Sequence, residues 1–464
     1  MLGTLTGIDA KDAFSNPKVI QCLTSKDVPA GKNRFAGSMD ALEDVIFVED
    51  DIQHHGQAVA AILAEDRESA WQAARKVEVT YQEHQPLVTI EQAELAGAIN
   101  PRPPILPFHV GQVEDALTES QDVLEGKFKT PRQEHFYEET MCCLAVPEEN
   151  NHMKIFCPAP SPLMLQYCVA NMLNVPLSHV TVVTRRIGCN FGAKQVYSLS
   201  LAMAVAMAAK KTGRAIRTVL QRGEDIQRSG QRGEFGASWK AGLTAGRITG
   251  VEIKLQKSGG WNIGCSPDIL TRCLIASSNC YHWENMLATG DTFRTNTPSN
   301  TAFRAYGSPP AFAITENMIF DICAQLHLDP LEFRRRHFRK IGDVTHYGQE
   351  LREDDCTVEE CFDECIDKSD YHNQLQAIKD WNRGQKHKKT GISLLPFSYG
   401  VGGAVGQAGA LLNVHLDGSV VISIGGVELG QGLFTKIAQV GLVVVVVVVV
   451  VVSLVRGCSP RWPR

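Results

Sequence analysis

With 464 residues, 44% of them hydrophobic and 21% charged, the chain has a globular composition and enough length for a large core shared among several domains. A net charge of -5 and a pI near 6.3, with no basic stripe interleaved with aromatics, exclude nucleic acid as a partner. The opening Met1-Leu-Gly-Thr-Leu-Thr-Gly-Ile has neither the basic region nor the apolar run of a signal peptide, so a cytoplasmic protein is expected, in whose reducing surroundings the 14 cysteines need not pair.

In chain order, the first elements are strands over 44–48 and 58–64, an amphipathic helix over 67–76 behind an Asp66 cap, and a strand over 77–81. This is a small α/β unit. His54 and His55 are adjacent, so in a strand they would face opposite ways and could not share a metal; both are read as structural. The proline-rich stretch Asn100-Pro-Arg-Pro-Pro-Ile-Leu-Pro107 can be neither helix nor central strand, which places a domain boundary near it.

Beyond it, an apolar strand over 141–146 leads to a helix over 162–173, capped by Ser161, with Leu165, Cys168, Val169, Met172 and Leu173 on one face. A strand over 180–184, the loop Arg186-Ile-Gly-Cys-Asn-Phe-Gly-Ala-Lys-Gln195 and an apolar helix over 199–211 ended by Gly213 follow. Strand, glycine loop and helix are also how a nucleotide site begins, but Gly188 and Gly192 do not fit the dinucleotide fingerprint and no Gly-Lys-Ser/Thr follows.

The stretch Pro298-Ser-Asn-Thr-Ala-Phe-Arg-Ala-Tyr-Gly-Ser-Pro-Pro310 reads as a loop feeding a helix, with Ser308 as N-cap and Pro309 at the first helical position. Within it Arg304 offers a fork of donors, Tyr306 a flat face, and Gly307 room for backbone to approach a ligand. After a capped basic helix at Asp329-Pro-Leu-Glu-Phe-Arg-Arg-Arg336, read as a solvated face, the chain is polar through Lys389. In that stretch, Cys356-x4-Cys361-x3-Cys365 misses the plant-type iron–sulfur spacing by one residue and lacks a nearby fourth cysteine; Cys361 and Cys365, one helical turn apart, predict a core helix over 358–366 with no metal. A strand over 392–396, a glycine cluster at 400–403 and a hairpin turning at Asp417-Gly418 come next.

The string at 298–310 resembles the cofactor loop of the molybdenum hydroxylases, the xanthine dehydrogenase and aldehyde oxidase family, which runs Pro-Ser-Asn-Thr-Ala-Phe-Arg-Gly-Phe-Gly-Gly-Pro-Gln. Other stretches agree. His55-Gly-Gln-Ala-Val-Ala60 and Ala73-Ala-Arg-Lys-Val-Glu-Val-Thr-Tyr81 resemble its hammerhead domain, Gln133-Glu-His-Phe-Tyr-Glu-Glu-Thr140 its Gln-Glu-His-Phe-Tyr-x-Glu-Thr, and Gly425-Gly-Val-Glu-Leu-Gly-Gln-Gly432 its pterin-contacting Gly-Gly-Thr-Glu-Met-Gly-Gln-Gly.

The resemblance implies a mixed α/β (α+β) fold: a hammerhead domain over 1–95, a first molybdopterin-binding domain over 105–345, a linker and helical unit over 346–390, the start of a second molybdopterin-binding domain over 391–440, and a valine-rich tail over 441–464 outside the family pattern. It implies molybdenum–molybdopterin as cofactor with no metal ligand from protein side chains, an aldehyde or N-heterocycle as substrate, and a homodimer. Cofactor contacts carry over to Phe191, Gly192, Arg304 and Gln431, and substrate contacts to Gln195, Arg272 and Tyr306; without the resemblance Arg272 is equally a surface or paired arginine.

Departures from the pattern matter as much. The family's substrate-contacting glutamate is Gln195 here, glycines have become Cys189, Asn190 and Ala193, a glutamine that reaches the metal's oxo ligand falls at Pro160, and a loop bearing a second aromatic wall is shortened to the glycines at 400–403. The family's glutamate base lies beyond Val440, where the pattern stops, so no catalytic residue is identified. No cysteine quartet or flavin fingerprint precedes the hammerhead, so 2Fe-2S and FAD are expected only in a full-length family member. Apart from Gln439, Gly441 and Ser453 the stretch 437–455 is apolar and roughly long enough to span a bilayer, yet valine is a mediocre helix former; a truncated or misread terminus is expected rather than an anchor. The alternative to an enzyme is a catalytically inactive homologue that binds a ligand or partner.

Overall fold

A computed structural model describes residues 2–35, 44–100, 105–400 and 409–456, the last twelve of these by backbone alone. The architecture is mixed α/β, built from three main sheets with helices packed on them. The N-terminal sheet pairs Leu2–Asp9 antiparallel with Glu78–His84 on one side and Asp51–Ile52 on the other. Its helix Arg67–Ala74 begins where the sequence places it, because the Asp66 carboxylate accepts from the Ser69 N–H at 2.8 Å.

A four-stranded sheet follows in the order Val180–Val183, Met153–Phe156, Cys142–Pro147, Ile216–Val219. The helices Pro162–Leu173 and Tyr197–Thr212 pack on each other, and the second lies against this sheet. Tyr197–Thr212 is buried on nearly every face, as its uninterrupted apolar run demands, and it ends at Gly213 in the left-handed region. Its core continues into the N-terminal unit through Leu23, Val28, Phe35, Ile46 and Phe47. A five-stranded sheet, centred on the parallel pair Arg247–Gly260 and Met286–Arg294, carries the second core together with helices Ser266–Ala276 and Ser308–Gln325.

Several local expectations fail for identifiable reasons. The strand expected over 44–48 is a ladder only at Asp44–Val45; the buried Asn33 side chain binds the Phe47 N–H and carbonyl in place of a neighbouring strand. His54 and His55 sit in a turn, with His54 buried and its ring held by the His55 carbonyl. No strand forms over 392–396, because that backbone docks on helices: the buried Asn279 amide donates to the Pro396 carbonyl and Phe397 packs on Phe312.

The helix Val358–Lys368 exists, but Phe362 and Ile366 fill its buried side and both of its cysteines are exposed. The basic helix Pro330–Arg336 is not wholly solvated either, since Arg334 is buried in an ion pair with Glu316 at 2.8 Å. Ala410–Val414 and Val420–Ile424 form the expected hairpin, with Gly418 in the left-handed region its turn needs. Helix runs through the valine stretch, over Leu433–Arg456, and no helix among the described residues is long and apolar enough to cross a membrane.

Candidate functional site

Four of the motif stretches meet in space. The Arg304 N–H donates to the Phe191 carbonyl at 2.9 Å, joining the loop at 298–307 to the loop at 186–195. The Ile187 N–H donates to the Glu428 carbonyl at 3.1 Å, which docks the glycine-rich 425–432 loop on the same place. From below, His135 Nε2 donates to the Ala302 carbonyl at 2.9 Å, and Glu139 accepts both the Gly188 N–H at 3.0 Å and the Lys194 ammonium at 2.8 Å. Because a carbonyl only accepts, the first of these bonds fixes the His135 proton on Nε2, and burial lowers the ring's pKa.

The meeting point is made of unusual backbone. Cys189, Phe191, Ala305 and Tyr306 all have positive φ, and Gly192 lies at φ 107°. A Cβ on Gly192 would fall 2.1 Å from the Ala302 carbonyl oxygen, so only glycine allows the two loops to touch. Phe191 and Arg304 point outward, both exposed.

Arg232 clamps the second turn. Its buried guanidinium donates to the carbonyls of Arg304, at 2.6 Å, and Tyr306, lies 4.4 Å from the Phe303 ring, and bonds Gln133 Oε1 at 2.7 Å. No carboxylate among the described residues pairs with it, and burial depresses its pKa to about 10. The Arg232 clamp escapes the sequence reading; its signal is the flanking pair Gly230 and Gly233, whose Cβ atoms would strike the Ser299 and Ser258 carbonyls at 2.0 and 2.4 Å.

The residues expected to contact a substrate lie around the same loop. Arg272 lies on helix Ser266–Ala276 under the loop, and its Nε donates to Ser308 Oγ at 3.1 Å. Ser308 is therefore the first helical residue and a partner of Arg272, and makes no capping bond; the N-cap is Gly307. Gly307, expected to leave room for a ligand, instead turns its bare side to a helix. Its missing side chain lets the loop press on helix Ser266–Ala276, where a Cβ would lie 2.1 Å from the Ile269 carbonyl.

Tyr306 is half-buried beside Cys265, and burial drives its hydroxyl pKa up. Gln195 ends a short helical turn directly after Gly192 with its side chain exposed, and no hydrogen bond among the described residues ties it to Arg272. Gln431 has turned its amide into its own loop, donating to the Val427 carbonyl at 2.9 Å and accepting from the Leu429 N–H at 2.6 Å.

One aromatic neighbour was not foreseen. The Arg272 guanidinium lies 5.3 Å from the Tyr399 ring, just ahead of the glycine cluster, which beyond Gly400 falls outside the described residues. Tyr399 is held there by the Asn279 clamp, which accepts from the Ser398 N–H and donates to the Pro396 carbonyl. Asn279 in turn is fixed by Glu316, shared with Tyr281 and Arg334, all buried.

Family profiles match the chain along most of its length. The molybdopterin cofactor-binding domain matches residues 99–338, the aldehyde oxidase and xanthine dehydrogenase a/b hammerhead domain matches 2–85, and a second molybdopterin cofactor-binding domain matches 364–448. Among curated relatives, a xanthine dehydrogenase of Calliphora vicina is 37% identical over 440 residues, and an aldehyde oxidase 1 of Oryctolagus cuniculus is 35% identical over 443; each alignment covers 94% of this chain and 32% of the relative. The chain thus spans about a third of the length of the curated relatives it matches.

Among solved structures, the aldehyde oxidoreductase of Desulfovibrio desulfuricans superposes with a TM-score of 0.81 at 23% identity, covering 91% of this chain and 48% of that one. The CO dehydrogenase of Oligotropha carboxidovorans gives 0.79 at 19% identity, covering 93% and 59%. Both share the fold.

Proposed function

The chain belongs to the molybdenum hydroxylases, the xanthine dehydrogenase and aldehyde oxidase family, and from that premise we propose that it is the molybdenum-cofactor-binding portion of an oxidoreductase that hydroxylates aldehydes or N-heterocycles with oxygen from water. The observation that carries this reading is the convergence of the 133–140, 186–195, 298–307 and 425–432 loops on one place, stitched by the Arg304–Phe191 and Ile187–Glu428 bonds.

The residues there fit a bulky anionic group. Two left-handed turns adjoin there, Phe191 and Arg304 project outward, and the buried Arg232 carries a charge that no described carboxylate cancels. Phe191, Gly192, Arg304 and, after releasing its own loop, Gln431 would hold molybdopterin; when bound, that group supplies the redox centre of the hydroxylation. On the protein's side, Arg232 keeps the Ala305–Tyr306 turn in shape, Tyr306 offers a flat ring, and Arg272 presents donors to a polar acceptor on the substrate.

Gln195 can donate and accept hydrogen bonds but supplies no negative charge, so a purine loses one of two charged partners. Removing such a partner costs a few kcal/mol of transition-state binding. Xanthine and hypoxanthine are therefore expected to be poor substrates beside aldehydes and small N-heterocycles, and Gln195→Glu should shift kcat/KM back toward hypoxanthine.

The same reading carries a cytoplasmic homodimer, 2Fe-2S and FAD only in a longer product, and domains over 1–95, 105–345 and 391–440 with a linker and helical unit at 346–390 and a tail at 441–464. Molybdenum and pterin analysis of the purified chain tests it: stoichiometric metal with pterin fluorescence is expected, and folded protein free of both would overturn it. That second result would favour a catalytically inactive homologue that binds a ligand or partner, a reading supported by Pro160, which has no N–H, and by the uncharged Gln195.

A further inference from the structure

Away from the loop cluster, helix Val358–Lys368 carries two exposed thiols. Among the described cysteines, Cys361 and Cys365 are the exposed ones; the rest are buried or half-buried. Burial pushes the thiols of Cys142, Cys168 and Cys323 up to about 11, which makes them poor nucleophiles. The two exposed thiols are also neighbours. They stand at i and i+4 on one helix, beside but outside the apolar seam where Phe362 and Ile366 meet the core.

Their separation decides what they can do. Residues one helical turn apart have Cβ atoms about 5–6 Å apart, whereas a disulfide needs about 3.5–4.5 Å. The helix is held on its other side by Phe362 against Phe338 and by an ion pair between Asp363 and Arg335, so it resists the unwinding that a disulfide would require. A bridge with one extra atom between the sulfurs spans the wider gap. Two ligands are too few for zinc, which takes four, and no group of three or more ligating side chains lies among the described residues.

We propose that Cys361 and Cys365 form a bidentate thiol site for a trivalent organoarsenical. With phenylarsine oxide the arsenic–oxygen bond breaks, two arsenic–sulfur bonds form, and the two thiol protons leave with the oxygen as water. Arsenic stays trivalent and neither sulfur is oxidised. Chelation makes the second bond intramolecular, which gives the pair its advantage over any single thiol. Half-buried Cys356 takes no part, because its sulfur donates to the Arg339 carbonyl at 2.9 Å.

The test treats the purified chain, without denaturant, with phenylarsine oxide and reads intact mass and free thiols. One phenylarsenic per chain is expected, with two thiols lost to N-ethylmaleimide, the adduct mapping to the peptide between Arg352 and Lys368, and reversal by 2,3-dimercaptopropanol. Cys361→Ser and Cys365→Ser should each weaken binding by about 100-fold, while Cys356→Ser and Cys458→Ser leave it unchanged. Circular dichroism should show both exposed-site variants folded, since neither side chain fills the core. Undiminished binding in either exposed-site variant, an adduct that forms only after unfolding, or arsenic linking two chains would overturn the proposal.

Discussion

The five-stranded sheet and the hairpin at 410–424 are written in similar alternating patterns, yet they end in opposite surroundings. In Phe235–Thr244 the alternate residues Phe235, Ala237, Trp239 and Ala241 are buried under helices; in Ala410–Val414 and Val420–Ile424 Leu411, Val414 and Val421 are exposed, as is Leu416 in the turn. Period-two alternation specifies pairing, and the hairpin register confirms that it does so here. Burial needs a second layer, which alternation does not encode; on the hairpin, helix Leu433–Arg456 half-covers Leu412 and Ile422 and leaves Leu411, Val414 and Val421 open. The loop cluster stands at the extreme of the buried case, because there backbone rather than side chains is packed.

The largest loss is expected from Gly307→Val. Were the glycine open to solvent as the hairpin is, valine would cost little. A Cβ placed 2.1 Å from the Ile269 carbonyl and 2.6 Å from the Cys273 nitrogen forces helix and loop apart, so a loss of more than about 4 kcal/mol is expected. Thermal melting followed by circular dichroism should show a collapsed transition; an unchanged midpoint would mean that the loop does not rest on that helix.

Next in size is Lys257→Met. Lys257 is fully buried under the same loop, its ammonium donating to the Ser258 carbonyl at 3.0 Å and Ser266 Oγ at 2.8 Å and lying over the Phe235 ring, with no carboxylate paired to it among the described residues, and burial lowers its pKa from 10.5 to about 8. The depressed pKa means that the folded state disfavours the proton. Below pH 8 both states hold it and the full cost is present; between pH 8 and 10.5 the unfolded chain binds more protons, so stability rises with pH. At 1.36 kcal/mol per pKa unit the cost is about 3 kcal/mol. Methionine should therefore raise stability by up to that amount at pH 7, with the gain shrinking as pH climbs toward 10.5. A gain that does not depend on pH would show that packing, not charge, is responsible.

A smaller effect is expected from Ala305→Gly. Ala305 sits at φ 66°, in the left-handed region that costs a non-glycine residue about 1–2 kcal/mol. Glycine's greater freedom in the unfolded chain returns part of that gain, so a net stabilisation of about 0.5–1 kcal/mol should appear in urea unfolding. Destabilisation would mean that the methyl group packs usefully.

These cases also mark what could be read in advance. Asp66, the helix ending at Leu173, Gly213 and the Asp417-Gly418 turn were legible because each signal and its partner lie within a few residues. The family resemblance made the loops at 186–195 and 298–307 legible as motifs and named Phe191, Arg304 and Arg272. It could not say what Gly307 touches, because that partner is a helix carrying Ile269 and Cys273. The Arg232 clamp and the chain from Arg334 through Glu316 and Asn279 to the Tyr399 segment join residues distant in sequence through polar side chains, which leave no periodic trace. The strand expected over 392–396 failed for the same reason: the distant Asn279 side chain takes the Pro396 carbonyl, which no local pattern announces.

The hairpin should tolerate substitution at its tip. Leu416 precedes the Asp417-Gly418 turn with its side chain wholly in solvent, and the ladder closes behind it through the His415–Ser419 backbone bond. Replacing it with serine removes apolar surface that is buried against nothing here, and the turn geometry is set by Gly418 and by the Asp417 carboxylate, which accepts from the Ser419 N–H at 2.9 Å. Leu416→Ser should thus change stability by less than about 0.5 kcal/mol, the range of surface substitutions away from special contacts. Urea unfolding of the same preparation decides it. A loss of 2 kcal/mol or more, about what a fully buried leucine contributes, would show that something covers this hairpin in solution. The contrast between the two alternating sheets would then be one of partner rather than of environment.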